Sequence, residues 1–348
     1  MIDIKSYGII PENAPCGESG TAARVTAVHK ERYGIVCQQG ECFARLKSSV
    51  YFAGKDEPFP TVGDFVTIAY NPAGDSVITH TLPRKTFFAR RDPTPGRGEQ
   101  AVAANFDYVF IMQSLNHNFN IRRLERYLAL AWQSGASPVV ILTKADLKEE
   151  IGEELAAAES AAIGAPVIAV SALEGTGLEA LSEYLAPGKT IVFLGSSGVG
   201  KSSLLNALAG EALMQVGAAR EEDSRGRHTT THRELILLSC GAMVIDTPGM
   251  RELGMWEADA GIEDAFSDIE QYVSACRFSD CSHTTEPGCA VRAALTAGAL
   301  SNERWQSYLK LRQESHFSDD KAEYLRKKQA WHKGIAKQIR QQQKFGKH

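Results

Sequence analysis

Residues 190–209 read TIVFLGSSGVGKSSLLNALA, an apolar run that passes through a glycine-rich turn into a helix-forming stretch headed by a lysine and two serines. From Gly195 to Ser202 the chain satisfies G-x-x-x-x-G-K-[ST] at every fixed position, and that motif works only as strand, loop and helix in succession. Its glycines let consecutive backbone N–H groups wrap phosphate oxygens at the positive end of a helix. On this reading Gly195, Ser196, Ser197, Gly198, Val199, Gly200, Lys201, Ser202 and Ser203 face nucleotide phosphates. Lys201 neutralises the β and γ phosphates, and the Ser202 hydroxyl is a ligand for Mg2+. The alternative is a glycine turn with an incidental lysine.

The surroundings supply the sheet such a loop requires. Apolar runs at 107–112, 138–143, 166–171, 190–195 and 242–246 are separated mostly by helical stretches such as NIRRLERYLALAWQSG. Continuous apolar strands of this kind belong to a parallel sheet covered on both faces, so the middle of the chain is expected to be a doubly wound α/β domain. Residues 233–240 run into 242–246 across Gly241, which predicts an antiparallel edge hairpin. The last run ends in Asp246-Thr-Pro-Gly249. Some fifty residues after a phosphate loop, Asp246 reads as a water-mediated Mg2+ ligand and Gly249 as the N–H that senses the γ-phosphate. Alone, the same tetrapeptide is a strand-ending turn.

Two further strand ends read the base. Thr143-Lys144-Ala145-Asp146 follows one apolar run. A carboxylate beneath a guanine accepts both N1–H and the exocyclic amine, a pair that adenine does not present, while the lysine stem packs along the ring. Ser171 and Ala172 follow another run, where their backbone donates to the guanine carbonyl. In isolation either segment is a strand-to-helix turn, with Asp146 as a cap. Beside a phosphate loop they point to GTP.

Before the α/β region, ARVTAV, YGIVCQ, ECFARL, DFVTIAY and SVITHTL are short β-rich runs with turn residues between them. Five strands in so short a segment predict a small barrel of OB type, with an SH3-like barrel or small sandwich as alternatives. Residues 84–97, RKTFFARRDPTPGR, have the composition of a linker. After Trp256 no strand is apparent. Cys276, Cys281, His283 and Cys289 cluster in one short segment, and three thiolates with an imidazole suit one tetrahedral structural Zn2+. A reduced, unliganded cluster is the alternative. Cys16, Cys37, Cys42 and Cys240 read as small apolar or surface residues, and an odd count of seven cysteines disfavours a disulfide framework. Residues 321–348 hold nine Lys/Arg and one acid, a net of +8 hidden in a formal total of −4. They are expected to form a basic helix with a loose stripe of Tyr324, Trp331, Ile335 and Ile339. The absence of an apolar signal stretch in MIDIKSYGII points to a cytoplasmic chain without membrane contact.

The order of the motifs is inverted relative to most GTPases: TKAD and SAL precede GSSGVGKSS, which precedes DTPG. This is the signature of a circularly permuted GTPase. With a barrel before it, GRHTTT within it and the Cys/His cluster after it, the chain resembles the ribosome small-subunit-dependent GTPase A (RsgA) family over nearly its whole length. The resemblance implies an OB-type barrel at 1–86, a permuted GTPase domain at 87–256 and a mostly helical zinc-binding domain with a basic tail at 257–348, the order of the first fifteen residues being open. It implies GTP hydrolysis stimulated by the small ribosomal subunit, rRNA contacts and a role in late subunit maturation, by a chain expected to be monomeric. The cluster spacing matches the family's zinc site. Thr143 stands where an Asn is usual, which is expected to weaken a scaffolding hydrogen bond.

Between the phosphate loop and DTPG lies DSRGRHTTTHRE, polar as a switch loop should be. The family register places Thr230 on Mg2+, with Thr229 and Thr231 left open. Position 250, often a water-orienting glutamine, is Met250, and a thioether cannot orient water. Slow intrinsic hydrolysis follows, on the order of 10⁻³–10⁻² per second or below, with His228 as the group that completes the site and a solvated or RNA-contacting His228 as the alternative. Lys47, Tyr51 and Phe52 are weak candidates for RNA contact on the barrel. Two other classes compete: an ATPase, which has no need of TKAD, and a non-catalytic GTP-sensing RNA-binding module, which Met250 favours.

Overall fold

The computed structural model describes residues 3–9, 20–29, 32–52, 57–91, 99–214, 233–246 and 258–316. His228, Thr229, Thr230, Thr231, Gly249, Met250, Cys16 and the basic tail lie outside the described residues. Two compact units emerge. One comprises Met1–Ala89 with Ala101–Leu253, the other Arg90–Gln100 with Gly254–His348.

The first unit begins with a 3-10 helix, Ile4–Tyr7, capped by the Asp3 carboxylate, and buries Tyr7 and Ile9. Five strands follow: β1 (Thr21–Val28), β2 (Tyr33–Cys37), β3 (Gly40–Leu46), β4 (Phe65–Ala69) and β5 (Ser76–Thr81), with a single helical turn α1 (Ser48–Tyr51) after β3. They pair in the order β1-β2-β3-β5-β4, and β1 closes on β4 from Thr21↔Ile68 to Arg24↔Phe65. The β3–β5 pair is parallel. This is the closed five-stranded barrel of OB type that the sequence predicts. Its core is built from alternate residues, among them Val25, Ile35, Ala44, Val66, Ile68 and Ile78. Tyr51 joins that core and donates its hydroxyl to Thr81 Oγ1 at 2.8 Å, because Thr81 spends its own proton on Pro58 O. It is therefore not a platform for a base. Phe52, 67% exposed, stands edge-on to Phe59, 51% exposed, with ring centroids 5.6 Å apart.

The segment read as a linker contains a strand. β6 (Phe87–Arg91) and β7 (Glu99–Ala104) form a two-stranded sheet, and Phe88 is buried in a stack on Phe106 at 4.9 Å. Basic and proline residues around it mask the apolar pair in the composition.

The α/β part contains β8 (Tyr108–Ser114), α2 (Ile121–Gln133), β9 (Ser137–Thr143), α3 (Gly152–Ala161), β10 (Val167–Val170), β11 (Thr190–Gly195), α4 (Lys201–Ala209), β12 (Arg233–Leu237) and β13 (Met243–Asp246). Strands β10-β9-β8-β11-β13 are parallel neighbours, and β12 is antiparallel to β13. The predicted hairpin is thus present, but β12 is not an edge. It pairs with β1 through Ala27↔Glu234 and Val28↔Arg233, which merges sheet and barrel into eleven continuous strands. Phe110, Met112, Ile141, Ile191, Phe193, Leu204 and Val244 fill the core under α4.

In the second unit α5 (Asp259–Ala265), α6 (Ser267–Ser274), α7 (Ala290–Thr296) and a helix over 302–316 pack around Phe266, Ile269, Val291 and Trp305. Arg304 clamps Asp268 with two bonds of 2.8 Å. No helix among the described residues is long and apolar enough to cross a membrane.

Candidate nucleotide site and metal centre

Parallel strands bring the C-terminal ends of β10, β9, β8, β11 and β13 to one edge, the edge at which open α/β sheets bind ligands. Between β11 and α4 the loop passes through Gly200 at φ 102°, a left-handed value that any side chain would strain. Lys201 Nζ donates to Gly195 O at 2.8 Å and Ser196 O at 2.7 Å, so its ammonium lies over the opening of the loop. Ser202 follows in the first turn of α4, and Asp246 ends β13, which is hydrogen-bonded to β11. A hydroxyl and a carboxylate are the oxygen donors that a hard cation such as Mg2+ takes.

Thr143 ends β9 and places its hydroxyl 2.6 Å from Val199 O and 3.2 Å from Gln113 O. One hydroxyl proton serves one carbonyl at a time, where an asparagine amide would serve both. The bond between the end of β9 and the phosphate loop is made with a single donor. Replacing Thr143 with the isosteric Val leaves a buried carbonyl unpaired, a cost of about 1–2 kcal/mol, so GTP affinity should fall about 5- to 30-fold in a fluorescent-nucleotide titration, while Thr143→Asn keeps it. Equal affinities for all three proteins would show that the contact carries nothing.

Lys144 adopts φ 61°, turning the chain so that Asp146 enters the short 3-10 helix Ala145–Leu147. The Asp146 carboxylate accepts the hydroxyl of Ser171 at 2.5 Å. Ser171 is itself fully buried just past β10, and Ala172 follows it. The loop after β10 thereby orients a carboxylate of the loop after β9.

Sequence reasoning missed the segment that follows β8. Asn118 Nδ2 donates to Ser196 Oγ at 3.2 Å, and Arg123 Nη1 donates to Asn118 Oδ1 at 3.0 Å while Nη2 reaches the buried Gln113 Oε1 at 3.0 Å. Two phosphate-loop residues, Ser196 and Val199, are therefore tied to neighbouring strand ends. The signal was available in SLNHNFN, an asparagine-rich stretch immediately after an apolar strand.

Cys276, Cys281, His283 and Cys289 place their ligand atoms within 4.8 Å of one another. His283 Nδ1 is 3.5 Å from both Cys276 Sγ and Cys289 Sγ, and those sulfurs are 3.9 Å apart. Tetrahedral Zn–S bonds of about 2.3 Å and Zn–N bonds of about 2.0 Å require edges of about 3.8 Å (S–S) and about 3.5 Å (S–N), so the cluster fits such a metal. His283 holds φ 59° and is braced edge-on by Trp305 at 5.6 Å. Three thiols this close do not ionise alike. Burial opposes the Cys276 thiolate, but N–H groups of Val291 and Ala290 outweigh it and hold its pKa below the usual value. Burial and then the neighbouring Cys289 and Cys276 push Cys281 up to about 11. A cation removes that conflict by stabilising all three thiolates.

The family model described as RsgA GTPase matches residues 81–256. The chain belongs to the RsgA GTPase family. It is 48% identical over 313 residues to the small ribosomal subunit biogenesis GTPase RsgA 1 of Listeria monocytogenes, covering 89% of each chain. With the small ribosomal subunit biogenesis GTPase RsgA of Methanosarcina acetivorans it shares 42% over 303 residues, 87% of this chain and 81% of that one. Its fold is similar to the crystal structure of YjeQ from Thermotoga maritima, with a TM-score of 0.63 and 27% identity over 84% of this chain and 97% of that one. It is also similar to YloQ, described as a circularly permuted GTPase, with a TM-score of 0.59 and 23% identity over 88% and 98% of the two chains. The RsgA fold, in which the strand ahead of the glycine-rich loop, β11, follows β9 and β10 in the chain, is the circularly permuted one.

Proposed function

We propose that this chain hydrolyses GTP in response to the small ribosomal subunit and acts in that subunit's late maturation. The observation that carries the reading is the joined set of loops: Ser171 holds Asp146, and Thr143 holds the phosphate loop at Val199. A guanine reader and a phosphate cradle built as one piece have no use for ATP.

In this reading Asp146 accepts from the guanine edge, the stem of Lys144 packs on the ring and Lys201 balances the β and γ phosphates. Ser202, Asp246 and Thr230 hold Mg2+, whose charge offsets that of the phosphates. Gly249 senses the γ-phosphate and His228 orders the attacking water once the partner is engaged. Cys276, Cys281, His283 and Cys289 hold Zn2+ to fix the second unit. The functional division is a barrel to residue 86, a GTPase core to 256 and a zinc domain beyond. The exposed pair Phe52 and Phe59 offers the barrel a stacking surface for unpaired bases. The chain works as a cytoplasmic monomer.

Purified small subunits at low salt are expected to raise GTP turnover by about tenfold or more, with Lys201→Ala as the blank. An unchanged rate with intact subunits rejects the reading. A non-catalytic GTP sensor, the reading that Met250 favours, would show GTP binding but no single-turnover hydrolysis with or without subunits.

A further inference from the structure

Arg24 belongs to β1 of the barrel, yet its guanidinium is spent elsewhere. It is 1% exposed. Nε donates to Gly63 O at 3.2 Å, Nη1 to Tyr7 O at 2.9 Å and Met243 Sδ at 3.2 Å, and Nη2 to Asn105 O at 2.8 Å and Thr190 Oγ1 at 3.0 Å. Those contacts use all five donors of the fork. The ring of Phe65 lies 4.8 Å beneath it. Gly63, at φ 90°, packs directly against the 99–104 strand, where a Cβ would stand 2.0 Å from Ala104 O. Burial lowers the pKa of Arg24 to about 10, against the pull of Asp107 and Asp64, which leaves it cationic at neutral pH.

A cation buried among neutral acceptors is a poor source of stability, and an apolar residue of like shape usually serves a core as well or better. What only the guanidinium offers is a planar fork that fixes several separate segments in one geometry. Two of those segments matter for the nucleotide. Thr190 and Met243 face each other in the first rung of the β11–β13 pair. The far ends of these strands are Gly195, which opens the phosphate loop, and Asp246.

The barrel also reaches β13 at that far end. Ala27 pairs with Glu234, and Glu234 pairs with Asp246, so one rung runs from barrel strand β1 through β12 to the aspartate. β1 is free to make it because its pairing with β4 ends at Arg24, while its ladder with β2 resumes at Ala27 and Val28 after a register shift, the kind of irregularity that bends a strand. β12, in turn, is the strand that follows the GRHTTT segment.

We propose that Arg24 is a positioning residue that couples the barrel to the nucleotide site. It locks the Thr190–Met243 rung to the barrel, so β11 and β13 move with whatever engages the barrel, and the displacement arrives at the phosphate loop and Asp246. The inference rests on the subunit-stimulated reading above. Thr190 allows a clean control, because its backbone is held independently: Asp107 N donates to Thr190 O at 2.8 Å and Thr190 N to Asp107 Oδ2 at 2.9 Å.

The test compares the parent, Arg24→Lys and Thr190→Val for basal turnover, GTP affinity, thermal midpoint and turnover with intact small subunits. Lysine keeps the charge but loses the fork. Both variants are expected to hold basal kcat and GTP affinity within about twofold of the parent, while the stimulation factor falls about fivefold or more in Arg24→Lys and in the same direction in Thr190→Val. Equal loss of basal and stimulated rates marks a purely structural role and overturns the proposal, as does an undiminished stimulation factor. If Arg24→Lys fails to fold, Thr190→Val decides by the same criterion. A parent that is not stimulated defeats the functional reading itself, whereas a stimulated parent with equally stimulated variants defeats the coupling alone.

Discussion

Asp146→Asn is expected to exchange guanine for xanthine. The carboxylate offers two acceptors to N1–H and the exocyclic amine of guanine. An asparagine amide turns one acceptor into a donor, which faces the guanine amine with an N–H and leaves both unpaired. Xanthine carries a carbonyl where guanine has that amine, so it meets the new donor and still gives its N1–H to the amide oxygen. The Ser171 hydroxyl, 2.5 Å from Asp146 Oδ1, can donate to either side chain, so the exchange alters recognition without dismantling the loop. Sites built around hydrogen bonds reject a ligand that breaks them by about 10⁴-fold; GTP affinity should therefore fall by about a thousandfold or more, and xanthosine triphosphate should bind within about tenfold of the parent's GTP affinity. Competition against a fluorescent guanine or xanthine nucleotide measures both. If the variant still prefers GTP, Asp146 serves only to tie its loop to Ser171 and the base is read elsewhere.

The parts of the molecule legible in the sequence are those whose chemistry fixes residue type and spacing together. A phosphate loop, a carboxylate after a strand and a Cys/His cluster have few substitutes, and continuous apolar runs betray buried parallel strands. The opposite holds for what was missed. β6 is hidden because Phe87 and Phe88 sit among arginines and prolines that resemble a linker. The union of barrel and sheet depends on Ala27 meeting Glu234, a pairing with no local signature at either end. Arg24 reads as an ordinary polar position of an alternating strand, but Ala23 and Val25 beside it are buried as well, because that stretch of β1 is covered on both faces. Tyr51 errs the other way: an aromatic in a polar stretch looks exposed, and only the closed barrel with Thr81 within reach shows why it is not.

Loss of the metal is expected to unfold the second unit rather than loosen it. From Ser274 to Gly288 no residue is buried, and Cys289 is the first that is. The edge-on contact of His283 with Trp305 is a small apolar anchor for a loop of that length. The Glu286 carboxylate organises it locally, accepting from the Ser282 hydroxyl, from Ser282 N at 3.0 Å and from Thr284 N and Thr285 N at 3.1 Å; the Ser282 hydroxyl first, and then the backbone N–H groups, draw its pKa down to about 2. Exposed hydrogen bonds of that kind cannot anchor a loop to the helices. The helices have a small core around Phe266, Ile269, Val291, Trp305 and Tyr308, and cores in units this small seldom supply more than about 3–5 kcal/mol. A structural zinc contributes about 10–16 kcal/mol, which exceeds that margin. On the proposed zinc-bound state, stripping the metal with a chelator, or replacing Cys281 by Ala, should reduce bound metal to near zero and abolish protection of amides over 258–316 in hydrogen exchange. Amides of β8, β9 and β11 should stay protected, since their core is separate. Full protection of 258–316 in metal-free protein would show that the helices stand alone and that the cluster has another role.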